Sequence, residues 1–310
     1  MNPLGIQTIG VYLPTQRVFN FTITDRFDDF DEGFLRDKIG VIERPVKDLR
    51  EHASDMALHA LEALLARGDA RREEIELLVV VTQNPDSNIP HVSPLVHARA
   101  GLPDACATFD ISLGCSGYVY GLSIVQSLMA AQGMRYGVLI TADPYSSIVD
   151  PEDRNTALLF GDAATATLIG DTPTYRTSGF SFSTFGDIDG ALACHHGKLR
   201  MDGRAVFNFA ATRVPENLAD LFARSRIEKE AVDCFIFHQG SRYIIDTLTR
   251  RMGLRPERVR SDIRRTGNTV SSSIPILLAH ELDNPDSRTM LLCGFGVGLS
   301  VASCICHRTK

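Results

Sequence analysis

Cys115 lies in a setting that suits a nucleophile. The segment SLGCSGY places it between Gly114 and Gly117, after a strand expected over 107–111 and before an apolar helix expected over 116–132. Flanking glycines permit a sharp turn that a β-carbon would obstruct. A thiol at the start of a helix lies near free N–H groups and the positive end of the helix dipole, which favour the thiolate. The alternative is a buried, inert cysteine.

Two further residues could act beside this thiol. His238 follows the apolar strand DCFIF, and in open α/β sheets chemistry gathers beyond the carboxyl ends of strands. Asn268 lies in TGNTVSSSIP, a polar entry into a helix, where its simplest role would be an N-cap. A nucleophilic cysteine with these two polar partners can serve several reactions. Papain-like proteases use the same residue types, but an α/β pattern is wrong for that fold.

Alternating strands and helices must position these three residues. Short continuous apolar runs between helical segments predict central strands covered on both faces, which is typical of an α/β architecture. We expect helices over 54–67, 116–132, 215–225, 242–252 and 272–281, and strands over 75–82, 136–141, 232–237, 289–293 and 299–305.

The second half of the chain repeats the first. The stretch ALLARGDARREEIELLVVVTQ recurs as DLFARSRIEKEAVDCFIFHQ, and FDISLGCSGYVYGLSIVQSL is echoed by SDIRRTGNTVSSSIPILLAH. Cys115 then matches Asn268, and the end of the strand near Val81 matches His238. A duplication would bring these strand ends together about a pseudo-twofold axis. Chance similarity between two ordinary βαβ units is the alternative.

Bulk composition excludes several classes of protein. The 310 residues are 44% hydrophobic, enough for a large core in one domain or two fused halves. The formal charge of −6 argues against binding nucleic acid or a membrane surface, both of which need a basic face. We expect no signal peptide and no membrane span. The seven scattered cysteines fit reduced thiols in a cytoplasmic protein.

Two other motifs do not predict a cofactor. Cys304, Cys306 and His307, and the Cys-His-His run at 194–196, lack a second ligand pair at metal spacing, so we expect no metal site. The glycine-rich GFGVGLS (294–300) is followed by the strand-like VASCIC, whereas a dinucleotide fingerprint needs a helix there. A glycine turn at a strand end can instead offer N–H groups to an oxyanion.

Motifs along nearly the whole chain resemble the β-ketoacyl-acyl-carrier-protein synthase III family. They are IGVIERPV (39–46), SLGCSGYVYGL, DRNTALLFGDAATATLIG (153–170), MDGRAVFNFA (201–210), FIFHQG, GNTVSSSIP (267–275) and GFGVG. The resemblance implies a duplicated thiolase fold with five layers, αβαβα. It would comprise an N-terminal half (1–170) carrying the nucleophilic cysteine and a C-terminal half (171–310) carrying histidine and asparagine. It also implies a homodimer.

The resemblance implies a catalytic triad of Cys115, His238 and Asn268. An acyl-coenzyme A would load Cys115, and a malonyl thioester on acyl carrier protein would then lose CO₂ and attack the acyl-enzyme, giving a β-ketoacyl thioester. His238 Nε2 and the Asn268 amide would stabilise the enolate. Backbone N–H groups of Cys115 and Gly296 would form the oxyanion hole. No resident cofactor is implied, because the substrates are coenzyme A and phosphopantetheine thioesters.

Substrate-binding residues follow from the same resemblance. Arg154 matches the family arginine that stacks on adenine, and Phe34 stands where the family has tryptophan, which this chain lacks. Lys38 falls where the family uses arginine near the coenzyme phosphates. Ile89 and Phe295 are implied for the acyl pocket.

Three departures from the family pattern point to a specialised pathway. The family's His-Gln-Ala-Asn becomes HQGS, which places Ser241 near the site. Its triple glycine becomes GFG, which puts the Phe295 ring near the acyl pocket. The carrier-binding arginine falls on Tyr243, with Arg242 one residue early.

An arginine cluster between His238 and Asn268 suits a phosphate-bearing or acidic partner. It comprises Arg250, Arg251, Arg255, Arg258, Arg260, Arg264 and Arg265. Of these, Arg250 and Arg251 are the first candidates for coenzyme or carrier binding. A solvated helix and loop is the alternative.

Two other functions stay open at this point. An acyltransferase on the same fold would pass the acyl group from Cys115 to an oxygen or nitrogen nucleophile. A structural subunit of a heterodimeric synthase would need no chemistry, but the intact Cys-His-Asn set counts against it.

Overall fold

The computed structural model describes residues 4–27, 32–186 and 190–309. The strands are β1 (Gly5–Tyr12), β2 (Arg17–Phe19), β3 (Glu43–Pro45), β4 (Leu77–Val81), β5 (Ala107–Ile111), β6 (Gly137–Ala142), β7 (Ala164–Gly170), β8 (Tyr175–Thr184), β9 (Leu192–His195), β10 (Lys198–Met201), β11 (Cys234–Phe237), β12 (Thr289–Gly296) and β13 (Ser300–Arg308). The α-helices are α1 (Ala53–Leu65), α2 (Val92–Ala100), α3 (Gly117–Gln132), α4 (Arg154–Ala157), α5 (Gly203–Ser225), α6 (Arg242–Arg251), α7 (Ile263–Thr266) and α8 (Ser273–Glu281).

The strand pairing repeats along the chain. In the first set, β5, β4 and β6 pair in parallel, and β7 and β1 follow antiparallel. In the second set, β11 pairs in parallel with β12, and β13 and β8 follow antiparallel. A parallel bridge between Phe235 and Val259 stands where β5 stands in the first set. The pairing of Ile6 with Tyr175 joins both sets into one nine-stranded sheet. The predicted duplication therefore appears as a repeated topology.

The helices form three layers around the two sets of strands. Helices α1 and α2 cover the outer face of the first set, and α5 covers the outer face of the second with α6 beside it. Helices α3 and α8 lie between the sets and contact strands of both. Helix α3 buries one side, with Tyr118, Leu122, Val125 and Met129, between the two sets. The order is αβαβα, which confirms the predicted fold class.

Helix α5 departs most from the sequence-based expectation. It begins at Gly203 rather than at 215 and runs through Pro215. Proline has no N–H to donate to the carbonyl four residues earlier, which here belongs to Ala211. Arg251 Nη1 donates to that carbonyl at 3.0 Å. A distant side chain therefore replaces the missing helical hydrogen bond, and no local signal in the sequence shows this.

Strand β7 ends at Gly170 and β8 begins at Tyr175, but the division into 1–170 and 171–310 stays a prediction. Within the described ranges, no helix has the length and hydropathy needed to cross a lipid bilayer.

Candidate active site

Cys115, His238 and Asn268 line one cavity of about 860 Å³. Cys115 lies between β5 and α3, and His238 directly follows β11. Asn268 precedes the short turn Val270–Ser272 that leads into α8. Their exposed fractions are 4%, 2% and 4%. The structure thus brings together three residues that lie far apart in the sequence, two of which, Cys115 and Asn268, the repeat equates.

Close packing explains the glycines around Cys115. A β-carbon on Gly117 would lie 2.5 Å from a methyl carbon of Val81, and one on Gly114 would lie 2.5 Å from the Gln83 side-chain oxygen. Across the cavity wall, a β-carbon on Gly296 would lie 2.8 Å from Cys115 Sγ. The Gln83 side chain could move away, but the contacts at Gly117 and Gly296 are too short for a real β-carbon, so the position of the thiol depends on these two glycines.

The Cys115 environment disfavours the free thiolate, contrary to the expectation from its place before α3. Burial raises the pKa of the thiol to about 12, and the nearby Asp143 carboxylate adds to this shift. Hydrogen bonds from the N–H groups of Val297 and Cys115 oppose it. The cost of removing the thiolate from water therefore outweighs the stabilisation that the start of α3 offers. The thiol is protonated before it reacts. Val297 was not predicted, since an apolar side chain gives no sequence signal for a backbone donor.

His238 is held on two sides. Its Nδ1 lies 2.8 Å from Ser273 Oγ, and its ring meets the Phe295 ring edge to face, with centroids 5.4 Å apart. Burial lowers the pKa of His238 to about 3, opposed by the neighbouring Val270 carbonyl. The imidazole is therefore neutral at physiological pH, and it can donate a hydrogen bond from one ring nitrogen. Ser273 was not among the candidates, because nothing in the run SSS distinguishes one serine.

Asn268 has a defined amide orientation. The Val270 N–H donates to Asn268 Oδ1 at 2.9 Å, and a backbone N–H can only donate. The side-chain oxygen is therefore occupied, which leaves the Nδ2 hydrogens as the donors for the cavity. The main chain is fixed as well, since Asn268 N–H donates to the Leu159 carbonyl at 2.8 Å and Gly161 N–H donates to the Asn268 carbonyl at 3.1 Å.

The two residues assigned to the acyl pocket differ in position. Phe295 is 2% exposed and lines the cavity beside His238. Ile89 is 89% exposed and is not part of the cavity lining of the single chain. Apolar side chains from other elements form much of the wall: Ile39, Leu159, Phe160, Leu192, Met201, Val206 and Ile244.

Cation–π pairs lie where the coenzyme residues were expected. The Arg154 guanidinium lies 5.0 Å from the centroid of the Phe34 ring. Lys38 Nζ lies 3.5 Å from the centroid of the Tyr243 ring, and Phe207 stacks on the same ring at 4.8 Å. Phe34, Lys38 and Tyr243 all line the cavity. Tyr243, which occupies the place of the family's carrier-binding arginine, is therefore the partner of Lys38.

Most of the arginine cluster falls into two groups. Arg250, Arg264 and Arg265, joined by Arg242, line a groove of about 980 Å³ that Tyr243 also borders.

Three of the others have structural partners. Arg251 donates to the Ala211 carbonyl, Arg258 to the Glu230 and Val232 carbonyls, and Arg260 pairs with the Glu281 carboxylate at 2.5 Å. The structure places Arg251 away from the groove, so it does not join Arg250 there. No site of three or more His, Cys, Asp or Glu side chains suited to a metal ion occurs in the part of the chain that the structure describes.

Two models of one protein family match parts of the chain. A sequence model described as "3-Oxoacyl-[acyl-carrier-protein (ACP)] synthase III" matches residues 109–194, and its "C terminal" counterpart matches residues 222–308. The chain is 34% identical to "Beta-ketoacyl-[acyl-carrier-protein] synthase III 1" of Halalkalibacterium halodurans over 96% of both proteins.

Solved structures give the same result. The crystal structure of 3-oxoacyl-(acyl carrier protein) synthase III, FabH, from Pseudomonas aeruginosa is 30% identical, covers 99% of each chain and superimposes with a TM-score of 0.90. The priming β-ketosynthase of the R1128 polyketide pathway is 25% identical with the same TM-score, covering 99% of this chain and 97% of its own. The chain therefore belongs to the β-ketoacyl-acyl-carrier-protein synthase III family.

Proposed function

We propose that this acyltransferase loads an acyl group from coenzyme A onto Cys115 and condenses it with a malonyl thioester on acyl carrier protein. One observation carries the proposal. His238 and Asn268 line the same cavity as the thiol, and each has one polar side-chain atom already bonded elsewhere, to Ser273 Oγ and the Val270 N–H. Their remaining polar atoms are available to the oxygen of a substrate.

Acylation begins with the protonated thiol. Cys115 Sγ attacks the thioester carbonyl carbon, a new carbon–sulfur bond forms and the bond to the coenzyme sulfur breaks. The proton that leaves Cys115 ends on the coenzyme thiol. The N–H groups of Cys115 and Gly296 hold the oxyanion between these events, a contribution of about 3–4 kcal/mol for each donor. Within the described residues, no backbone carbonyl accepts from the Cys115 N–H.

Condensation uses the two side-chain donors. Loss of CO₂ from the malonyl group leaves its electron pair on the neighbouring carbon, as an enolate whose charge rests on the thioester oxygen. Donors from His238 and Asn268 stabilise that oxygen, and because both side chains are almost fully buried their hydrogen bonds are stronger than they would be in water. The carbanion attacks the acyl carbonyl carbon, the bond to Cys115 breaks, and the sulfur takes a proton from solvent.

The cavity mouth suits the coenzyme. Adenine has a π face, and the Phe34 ring paired with the Arg154 guanidinium offers an aromatic and a cationic surface for it. Lys38 supplies charge for a phosphate at the same mouth. The carrier protein binds at the groove of Arg242, Arg250, Arg264 and Arg265, because an acidic protein bearing a phosphate needs such a surface.

A second copy of the chain would bind along β5. This strand is the edge of the nine-stranded sheet, and its apolar Phe109 and Ile111 are only partly buried. Tyr120 and Phe180 are also only partly buried, and they pack against the same group of core residues as Phe109 and Ile111. An apolar edge strand is a template for strand pairing. Ile89 precedes α2, which packs on β5, so a dimer would place this exposed side chain at the partner.

The dimer is tested by light scattering after size-exclusion chromatography. Ile111→Lys should yield a folded monomer, whereas Leu49→Lys, at a side chain 96% exposed elsewhere, should leave the dimer intact. A wild-type monomer at micromolar concentration would refute this part of the proposal.

An acceptor competition tests the function. Acyl-enzyme is prepared from acyl-coenzyme A and offered malonyl carrier protein or, separately, a panel of amines and alcohols. We expect CO₂ and a β-ketoacyl product from the malonyl donor. Transfer to a hydroxyl or amine, with no CO₂ from any malonyl donor, would establish the alternative acyltransferase, in which the Ser241 and Phe295 side chains shape an acceptor site.

A further inference from the structure

Two buried polar side chains, Asn20 and Arg44, lie next to each other beside the cavity wall. Asn20 is 0% exposed and Arg44 is 7% exposed. Arg44 Nε donates to Asn20 Oδ1 at 3.1 Å. Because a guanidinium can only donate, this contact fixes the orientation of the Asn20 amide and leaves its Nδ2 hydrogens for other acceptors. The two side chains therefore present a fixed set of donors.

These donors hold the main chain around Phe160. Arg44 Nη1 donates to the Phe160 carbonyl at 3.2 Å, and Asn20 Nδ2 donates to the Leu158 carbonyl at 2.7 Å. Asn20 Nδ2 also donates to the Val41 carbonyl at 3.0 Å. In the described part of the chain, no backbone N–H donates to the Leu158 or Phe160 carbonyl. Since a buried carbonyl without a partner is costly, the position of this segment depends on the pair.

The same segment holds the main chain of Asn268. Asn268 N–H donates to the Leu159 carbonyl at 2.8 Å, and Gly161 N–H donates to the Asn268 carbonyl at 3.1 Å. A β-carbon on Gly161 would lie 3.2 Å from Arg44 Cβ, and one on Gly267 would lie 3.3 Å from the same atom. The stem of Arg44 therefore packs against both partners of the contact that fixes Asn268.

We propose that Arg44 and Asn20 are positioning residues, which fix the main chain of Asn268 and so direct its amide at the substrate oxygen. The Val270 N–H sets the side-chain rotation of Asn268 through Oδ1, and the segment around Phe160 sets the position of its backbone. Neither Arg44 nor Asn20 lines the cavity, so both act through Asn268.

The cost of burying Arg44 agrees with such a role. Burial lowers the pKa of Arg44 to about 10, opposed by the nearby Asp162 carboxylate, so the guanidinium is charged at neutral pH. Apolar residues often fill a buried position more stably than a charged group does. This inference rests on the proposed function, in which Asn268 serves decarboxylation. Loss of the pair should therefore slow decarboxylation and spare acylation.

Hydrogen exchange tests the positioning without substrate. Arg44→Met keeps the packed stem and removes the donors, and it should lower the protection of the Asn268 and Gly161 N–H groups about tenfold, the scale of one lost hydrogen bond. The Val92 and Ser93 N–H groups, which bond the Asp110 carboxylate, should keep their protection. Unchanged protection of Asn268 and Gly161 would overturn the inference.

Arg308→Met is the matched control. The Arg308 guanidinium also bonds main-chain carbonyls, those of Glu281, Leu282 and Asn284, and none of these residues lines the cavity. Its loss should leave the protection of Asn268 unchanged. If Arg44→Met does not fold, Arg44→Lys takes its place, because it keeps the charge and loses the planar pair of donors. The same loss of protection is expected from it.

A double-mutant cycle separates positioning from a general structural effect. Arg44→Met should slow malonyl decarboxylation about tenfold and change acylation of Cys115 less than about threefold. In the Asn268→Ala background it should slow decarboxylation no further, because the residue through which it acts is gone. An equal additional loss in that background would overturn the role. Absence of CO₂ release by the wild type would instead refute the proposed function, and the exchange experiment would still decide whether Arg44 positions Asn268.

Discussion

Gly296 packs against the Cys115 thiol so closely that a β-carbon at Gly296 would lie 2.8 Å from both Cβ and Sγ of Cys115. The contact joins the end of β12 to the turn before α3, and therefore one repeated set of strands to the other. A glycine of one set therefore limits where the Cys115 thiol of the other set can lie.

Gly296→Ala should reduce the rate of Cys115 acylation by more than about 100-fold, because the thiol and the adjoining oxyanion donor must both move. The rate is measured by intact mass after mixing with acyl-coenzyme A. Gly186→Ala is the control, since a β-carbon there meets nothing within 4 Å. Acylation of Gly296→Ala at the wild-type rate would show that the contact does not matter.

The pH dependence of alkylation tests the state of the free thiol. Burial and the Asp143 charge raise the pKa of Cys115 to about 12, so the thiolate fraction rises with pH through the whole range below that value. Iodoacetamide labelling of the Cys115 peptide should increase about tenfold per pH unit from pH 7 to pH 10. A plateau below pH 8 would indicate a thiolate already formed at neutral pH.

Asp143→Asn should accelerate that labelling at each pH above 8. The wild-type carboxyl has a pKa raised by burial to about 7, so it is charged in this range and disfavours a nearby thiolate. Removing the charge lowers the pKa of Cys115 and increases the thiolate fraction. Slower labelling of the variant, with an unchanged melting temperature, would contradict this reasoning.

His238→Ala and Asn268→Ala should each slow decarboxylation by roughly 10²–10³-fold and spare acylation, since both donors are assigned to the enolate oxygen. In single-turnover experiments the acyl-enzyme should accumulate in both variants. If the variants failed to acylate but released CO₂ normally, the roles assigned to these residues would be wrong.

Charge reversal tests the groove. The double variant Arg250→Glu and Arg264→Glu should raise KM for carrier-bound malonate about tenfold at low salt. It should also weaken the salt dependence of KM, because exposed charges mainly affect the rate at which two proteins meet. The control is Arg67→Glu, which reverses one charge at an exposed position after α1. Equal KM values for the wild type and the double variant would show a solvated face without a partner.

The fold was largely predictable because its signals are local. The apolar composition of Leu77–Val81 predicts a buried strand, and that of α3 predicts an apolar helix. The repeat then indicates how such elements assemble. The path of α5 through Pro215 was not predictable, since it depends on Arg251 from another helix. The same contact explains why the sequence did not reveal that Arg251 lies away from the groove.

The convergence of Cys115, His238 and Asn268 on one cavity was predictable, but the contacts around them were not. Cys115, His238 and Asn268 follow from strand ends, glycines and the repeat. Ser273 and the Val297 N–H act through contacts that only the folded chain creates. The high pKa of Cys115 also depends on burial, which a helix-start argument leaves out. The specialised pathway stays a prediction.

The central claim is that Cys115 carries the acyl group between two half-reactions. The most direct measurement is peptide mapping by mass spectrometry of protein incubated with acyl-coenzyme A, before and after addition of malonyl carrier protein. We predict the acyl mass on the peptide containing Cys115, its loss when CO₂ is released, and no acylated peptide in Cys115→Ala. Acyl mass on another residue, or undiminished loading of Cys115→Ala, would contradict the account.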